Sequence, residues 1–411
     1  VFLQKLFTMK FALIKEQKYP PDRRVVFSPK EAKNLKEKFP QAQIVAEPSK
    51  IRIFYDQEYK NEGIEIVTDL SDCDVLLGIK EVPIQALIPN KKYFFFSHTI
   101  KKQPYNRNLL RAILEKNIEL YDHETIIDKY KNRLIGFGYY AGVVGAYNTF
   151  RAFGIKYELF NLPKAETLTD QQALVSAIKK HTMPPIKIVI TGENGKVAKG
   201  IKDILDNVKI KEVSVEDFLT KNYDRPVYVK VGVLDYNKPK DGKIKNKQDF
   251  YDHPTFYESD FERFTKIADI LITGHFYANN APFILTKEML RAKDNKIKIV
   301  GDVSCDVNGP IACTLRASTI AEPFYGYHPS ECKEVDYKHP AAIVVMAVDN
   351  LPCELPKDAS QGFGKMFLEH VIPSFYNHDK DGILQRAKIT ENGKLTPNYA
   401  YLQDYVDGDE K

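Results

Sequence analysis

The amino-acid sequence predicts an α/β fold in two domains, each built on a parallel sheet, and three observations carry that prediction. In the first third, short apolar stretches alternate with helical ones, the pattern of strands covered by helices. A second series opens at "PIKIVIT" (185–191) and runs directly into a glycine-rich turn and an amphipathic helix, "GENGKVAKGIKDIL". Finally, 411 residues with 43% hydrophobic and 28% charged content suffice for two separate cores.

Taken in order, "FALI" (11–14) reads as a strand. "PKEAKNLKEKF" reads as a helix opened by Ser28 and Pro29, a capping serine followed by a proline suited to the first helical position. The strands "QIVAE", "VLLGI" and "YFFFS" follow, then a helix at about 106–117 and the strand "IELYD", which ends near Glu124. A helical stretch runs to Ala152, and its small residues Gly142, Gly145 and Ala146 allow close packing against another element. The second series contains "PIKIVIT", "EVSV", "VYVKV", "ILITG" and "KIVGDVS", with a lysine-rich stretch at about 236–250 expected to be an exposed insertion. After Pro323 the chain reads as irregular. It then gives the strand "AAIVVMAVD", a helix from about Lys357 to Val371 and an extended polar tail.

Composition excludes several classes. Sixty Lys and Arg against fifty-five Asp and Glu give a net charge of +5, spread without a basic block, so nucleic acid is not implied. Five cysteines, widely spaced and without a Cys-x-x-Cys pair, argue against a disulfide framework and a zinc site and suit reduced thiols in a cytoplasm. No apolar run approaches the ~20 residues of a membrane span. The opening "VFLQKLFTMKFALIKE" lacks a cleavage site of small residues, and Met9 reads as the natural start.

In "IVITGENGKVAKG" the glycines Gly192, Gly195 and Gly200 fall between a strand and a helix, where bare backbone N–H groups can meet a pyrophosphate. On pattern alone the turn reads about as well as a plain tight turn. Glu216, placed at the end of "EVSV", stands where a carboxylate would accept the adenosine ribose hydroxyls and repel a 2′-phosphate, which favours NAD over NADP. Glu216 or Asp217 could equally cap the helix that follows. In the first domain Arg24, Lys80, His98 and Glu124 all stand just after apolar segments, where open α/β sheets gather their ligands. An Arg suits a carboxylate clamp, and a neighbouring Lys and His can tune each other toward neutral pH.

The segments "PDRRVVFSP", "LGIKEVP", "FFFSHTIKKQ", "LYDHE", "NRLIGFGYYAG", "GDVSCDVNGPI" and "VDNLPCELPKDAS" resemble, in order and spacing, the lysine-forming saccharopine dehydrogenases. They match equally the lysine-ketoglutarate reductase half of the bifunctional lysine-degrading enzymes. The resemblance runs from Met9 over nearly the whole chain. "DILITGHFYANNAPFILT" and "RAKITENGKLTPNYAYL" are similar to the reductase half in particular. The wider superfamily includes alanine dehydrogenase and the nicotinamide nucleotide transhydrogenases.

The resemblance implies two Rossmann-like domains with the active site in the cleft between them. Residues 1–138 with 325–411 would form the substrate domain, and 139–324 the nucleotide-binding domain. It implies reversible, nicotinamide-dependent joining of L-lysine and 2-oxoglutarate to saccharopine through an imine, with Lys80 and His98 as the acid and base pair. Arg24 and Lys101 would bind carboxylates, Glu124 would tune the pair, Arg133 and Phe137 would meet the cofactor, and Asp302 and Asp306 would lie near the nicotinamide. The "GENGKVAKG" spacing is that of the monofunctional dehydrogenases, whereas the bifunctional reductases often use NADP, so NAD is the expected cofactor with NADP as the alternative. No metal, nucleic acid or membrane partner is expected, and the chain would be a monomer or small homo-oligomer. An alanine-dehydrogenase-like enzyme acting on ammonia, or an opine-type reductase with another amino acid, is the alternative activity.

Overall fold

The structure, a computed structural model, describes residues 8–243, 246–278 and 280–408. The opening segment before Thr8, two residues of the lysine-rich insertion and Asn279 of "FYANNAPF" lie outside the described residues, as does the very C-terminus. The chain divides into two units, residues 1–137 with 356–411 and residues 138–355.

The first unit is built on a six-stranded sheet with every neighbouring pair parallel, in the order β3-β2-β1-β4-β5-β6. Its strands are β1 (Met9–Leu13), β2 (Ala42–Ala46), β3 (Glu65–Ile66), β4 (Val75–Leu77), β5 (Lys92–Phe95) and β6 (Glu119–Asp122). Ser28 caps the helix Pro29–Lys38: its side-chain oxygen accepts the Glu31 N–H and its hydroxyl donates to the Glu31 carboxylate, a cap worth about 1 kcal/mol. The segment expected to be an extended tail is instead folded. Helix Pro356–His370 is followed by short helical turns and a small hairpin, and Ile389, Leu402 and Tyr405 are buried with Leu110 and Ile113 of helix Arg107–Glu115. Polar residues separate Ile389, Tyr399, Leu402 and Tyr405 in sequence, and the fold gathers them into one cluster with Tyr93, Phe95 and Leu120 of the sheet.

The second unit carries an eight-stranded sheet made from β7 (Lys187–Thr191), β8 (Lys211–Glu212), β9 (Val227–Val231), β12 (Ile270–Thr273), β13 (Ile299–Gly301), β14 (Phe324–His328), β15 (Lys333–Val335) and β16 (Ile343–Met346). A separate antiparallel ribbon of β10 (Asn237–Pro239) and β11 (Tyr257–Ser259) flanks the lysine-rich insertion. The sheet order is β15-β14-β16-β13-β12-β7-β9-β8. Period-two alternation sorts the strands onto two cores: Ile188, Ile190, Ile270, Ile272, Val344 and Met346 face one, and Val189, Leu271, Ile343 and Val345 the other.

Three expectations are corrected here. The sheet of the second unit is mixed, because β14 runs antiparallel to both β15 and β16. The stretch after Pro323 is therefore a strand pair, and residues 325–355 belong to the second unit rather than the first, since β14 and β16 hydrogen-bond into its sheet. The strand "EVSV" shrinks to Lys211–Glu212, because Ser214 accepts the Asp217 N–H at 3.1 Å and starts the helix Val215–Thr220.

The helices Gly138–Lys156 and Lys196–Asn207 cross with their backbones in contact. A Cβ on Gly142 would lie 2.0 Å from the Val197 carbonyl oxygen, and one on Gly200 would lie 2.0 Å from that of Tyr139. The crossing admits only glycine at both positions.

Candidate functional site

In the first unit the site grows from the carboxyl ends of β1, β4, β5 and β6. Glu16, just past β1, is buried and accepts the N–H groups of Ile79 at 2.6 Å and Lys80 at 2.9 Å, which pins the backbone beyond β4. Lys80 is thereby held at the strand end, and no hydrogen-bond or ion-pair partner holds its ammonium among the described residues. Burial drives the Glu16 carboxyl up to about 7, against the pull of those two N–H bonds.

Asp122, at the end of β6, is fully buried and ties two strand ends together. One oxygen accepts the Ser97 N–H (2.8 Å), the Ser97 hydroxyl (2.6 Å) and the His98 N–H (3.2 Å), and the other accepts the Glu124 N–H (2.7 Å). His98 adopts a left-handed backbone with φ of 54°, a conformation that costs a non-glycine residue about 1 kcal/mol or more and persists where surrounding bonds enforce it. Its imidazole is held below the ordinary 6.5 by burial and by the Lys101 and Lys80 cations, while Glu81 and Glu124 pull it upward. Glu81 Oε1 lies 4.0 Å from His98 Nε2, and its other oxygen takes the Lys18 ammonium at 2.7 Å.

Arg24 is buried, with Nε and Nη2 donating to the two oxygens of Asp22 at 3.0 and 2.6 Å and its guanidinium 4.2 Å above the Phe137 ring. Burial opposes ionisation of Asp22, but Arg24 holds its carboxyl below the usual range, with Lys80 adding to the effect. Lys101 donates to Glu124 Oε1 at 3.0 Å, and the Arg133 guanidinium is 3.7 Å from the same oxygen. Glu124 Oε2 is buried with no hydrogen-bond partner among the described residues.

The structure thus brings Lys80, His98, Lys101, Glu124 and Arg133 into one electrostatic group, and joins Arg24 to Phe137, whose ring stacks on Phe363 at 4.6 Å. Sequence reasoning missed Glu16, Asp22, Glu81 and Asp122. Glu81 stood beside Lys80 in "LGIKEVP" and Asp122 two positions before Glu124 in "LYDHE"; polar residues near a strand-end candidate were the available signal.

In the second unit the glycine turn follows β7. A cavity of about 240 Å³ is lined by Gly192, Glu193, Asn194, Gly195, Gly232 and Val233 on one side, with Tyr236, Tyr251, Gly274, His275 and Phe276 around it. Gly192 has φ of 97°, and a Cβ there would stand 2.3 Å from the Gly274 carbonyl oxygen, so the turn requires glycine. Gly195 is the cap of the helix Lys196–Asn207, with helix N–H groups opening onto the turn. His275 Nδ1 shares a hydrogen bond with the Thr191 hydroxyl at 2.7 Å, while its buried Nε2 has no partner among the described residues. Burial pushes the imidazole down to about 4, which leaves it neutral. The bare glycine cradle, the helix N-terminus and the unsatisfied imidazole nitrogen fit a dinucleotide: the N–H groups of the turn would hold its pyrophosphate, and His275 would offer one hydrogen bond.

Two cofactor expectations sit differently from where they were drawn. Gly200 serves the helix crossing and does not line the cavity. Glu216 lies in the first turn of helix Val215–Thr220, exposed and outside the cavity lining, because the chain leaves β8 four residues earlier. Asp302 is fully buried and accepts the hydroxyls of Thr273 (2.7 Å), Ser304 (2.7 Å) and Thr314 (2.6 Å), whereas Asp306 is exposed. All five cysteines are free. No helix of the described residues is long and apolar enough to cross a membrane.

Two domain models of one family match this chain in succession and leave residues 145–225 between them. The alanine dehydrogenase/PNT N-terminal domain matches residues 12–144 and the C-terminal domain of the same family matches residues 226–398. The chain is 32% identical to the alpha-aminoadipic semialdehyde synthase of Arabidopsis thaliana over 88% of this chain and 38% of that protein. It is 27% identical to the mitochondrial enzyme of that name from Mus musculus over 95% of this chain and 47% of the relative. The chain therefore spans less than half the length of these relatives. A saccharopine dehydrogenase [NAD(+), L-lysine-forming] of Yarrowia lipolytica is 24% identical over 84% of this chain and 87% of its own. Among solved structures, an L-alanine dehydrogenase superposes with a TM-score of 0.63 at 15% identity, covering 97% of this chain and 99% of the other. A transhydrogenase from Sinorhizobium meliloti gives 0.61 at 15% identity, over 94% and 100%. The fold is theirs, and with both domains matched the chain belongs to the alanine dehydrogenase/PNT family.

Proposed function

We propose that the protein is a nicotinamide-dinucleotide-dependent oxidoreductase that interconverts saccharopine with L-lysine and 2-oxoglutarate. The observation that carries this reading is the strand-end cluster in which Lys80 and His98 sit among Glu81, Lys101 and Glu124, beside the buried Arg24–Asp22 pair. The names of the relatives, saccharopine dehydrogenase and aminoadipic semialdehyde synthase, support it. Such a reaction needs a base for an amine proton, an acid and base for a carbinolamine hydroxyl, and cations for several carboxylates.

In the joining direction Lys80 takes the proton from the lysine amine, whose nitrogen bonds the carbonyl carbon of 2-oxoglutarate. His98 gives a proton to the carbonyl oxygen as the carbinolamine forms and, reprotonated from solvent, a second to the hydroxyl as the C–O bond breaks, so that water leaves and a protonated imine remains. In hydrolysis His98 removes a proton from the water that adds back. Its depressed pKa suits this exchange, since the neutral form is available near pH 7. Arg24, oriented by Asp22, and Lys101 receive substrate carboxylates. Asp122 and Glu16 do not touch substrate; they fix the backbone that presents His98 and Lys80. A bound nicotinamide supplies the two electrons that reduce the imine, and the glycine turn of the second unit is where the dinucleotide would be held.

Substitutions Lys80→Met and His98→Gln are each expected to lower turnover by more than about tenfold, as loss of a general acid or base does, while dinucleotide binding persists. Steady-state rates with lysine, 2-oxoglutarate and reduced dinucleotide, beside a dinucleotide titration, check this. Near-normal rates in either variant would remove that residue from the mechanism.

A further inference from the structure

The sheet order of the second unit relocates the group that discriminates between the two dinucleotides. In doubly wound sheets the strand lying beside the glycine-turn strand carries the residue that reads the adenosine ribose. Here that strand is β9; β8, next in sequence after the turn, pairs only with β9 at the sheet edge. The end of β9 lies against the turn, with the Gly192 N–H donating to the Val231 carbonyl at 3.0 Å. Gly232 and Val233 come next, and Asp235 beyond them folds back to accept the Gly232 N–H at 2.7 Å, which commits one of its oxygens to the backbone. A carboxylate reaches the place from the turn itself: a Cβ built on Gly232 would stand 3.0 Å from Glu193 Oε2.

Glu193 does not stand alone. Its carboxylate is paired with Lys247, from the segment between β10 and β11, and its carbonyl accepts from Lys230 at 3.4 Å. Lys247 shares the cavity wall with Tyr236, Tyr251 and Phe276, a set of rings suited to an adenine, and with the unpartnered His275 Nε2. Side chains of Glu193 and Lys247 are 44% and 50% exposed, so each can exchange its partner for a ligand without opening the core.

We propose that the Glu193–Lys247 pair reads the adenosine ribose: Glu193 accepts the 2′-hydroxyl of NADH, and Lys247 turns from Glu193 to the 2′-phosphate of NADPH. This rests on the reading of the glycine-turn cavity as a dinucleotide site, and it takes the discriminating role away from Glu216.

The test is a titration of the full chain with NADH and with NADPH, followed by nicotinamide fluorescence, and a calorimetric titration with the fragments ADP and 2′,5′-ADP to isolate the adenosine end. Loss of one charge-assisted contact corresponds to roughly tenfold in affinity. Lys247→Met is expected to weaken NADPH and 2′,5′-ADP by about that factor while leaving NADH within about twofold. Glu193→Gln is expected to weaken NADH and leave NADPH unchanged or tighter. Equal losses on both dinucleotides, no change in either variant, or a loss of NADH affinity confined to Glu216→Gln would overturn the proposal and leave the dinucleotide reading standing. Failure of the unsubstituted protein to bind either dinucleotide would overturn both.

Discussion

His98 stands under opposing charges, and each can be removed singly. Glu81 raises its pKa and Lys101 lowers it, both acting on a ring already depressed by burial. In the hydrolytic direction, where the proposed mechanism uses neutral His98 as the base, the acid limb of kcat/KM falls below pH 6.5. Removing the carboxylate in Glu81→Gln then moves that limb to lower pH, and removing the cation in Lys101→Met moves it to higher pH. Rate profiles of the two variants between about pH 5 and pH 8 check the signs. Shifts in the same direction would show that the limb belongs to another group.

At the scale of elements, the crossing of helices Gly138–Lys156 and Lys196–Asn207 sets two effects against each other. Gly200→Ala improves helix propensity by about 1 kcal/mol. Its new Cβ meets a backbone carbonyl that cannot rotate away, and overpacking of that kind costs roughly 1–3 kcal/mol. A net loss of stability is expected, read from denaturant unfolding; a gain would mean that the helices separate at little cost.

The same scale shows what the sequence made legible. Lys80 and His98 stood out because each closely follows an apolar run, a local signal that survives without knowledge of neighbours. Asp122 and Glu16 did not, because their role lies in hydrogen bonds across 24 and more positions to strand ends elsewhere in the sheet. Glu216 was expected at a strand end because the segment next in sequence was taken as the strand next in space, and β9 occupies that place instead. The hairpin of β14 and β15 was hidden by aromatic and glycine residues that carry no clean alternation, "FYGYH". Glycine spacing predicted a tight turn at Gly192, yet the partner of Gly200 was an element sixty residues earlier.

For the whole molecule, two buried carboxyls tie stability to pH. Glu16 is raised from 4.5 to about 7 and Asp122 from 3.8 to about 6, both chiefly by burial. A raised carboxyl binds its proton more tightly in the folded chain, so its contribution is fully present below the ordinary value and is lost as pH rises through the raised one. The Glu16 contribution, on the order of 3 kcal/mol, should therefore decline between about pH 4 and pH 7, against the opposite trend of the buried His123 and His275 imidazoles, which burial pushes down to about 4. Glu16→Gln should flatten that decline, as urea unfolding across the range would show. An unchanged slope would assign the dependence to other groups.

The central claim is that this chain joins lysine to 2-oxoglutarate, and one assay meets it directly. Purified protein is given 2-oxoglutarate with NADH or NADPH, and lysine, ammonia and other amino acids are supplied in turn while dinucleotide oxidation is followed and the product is weighed by mass spectrometry. The account predicts oxidation that depends on lysine and a product with the mass of saccharopine. Oxidation supported by ammonia or another amine, with lysine silent, would contradict it.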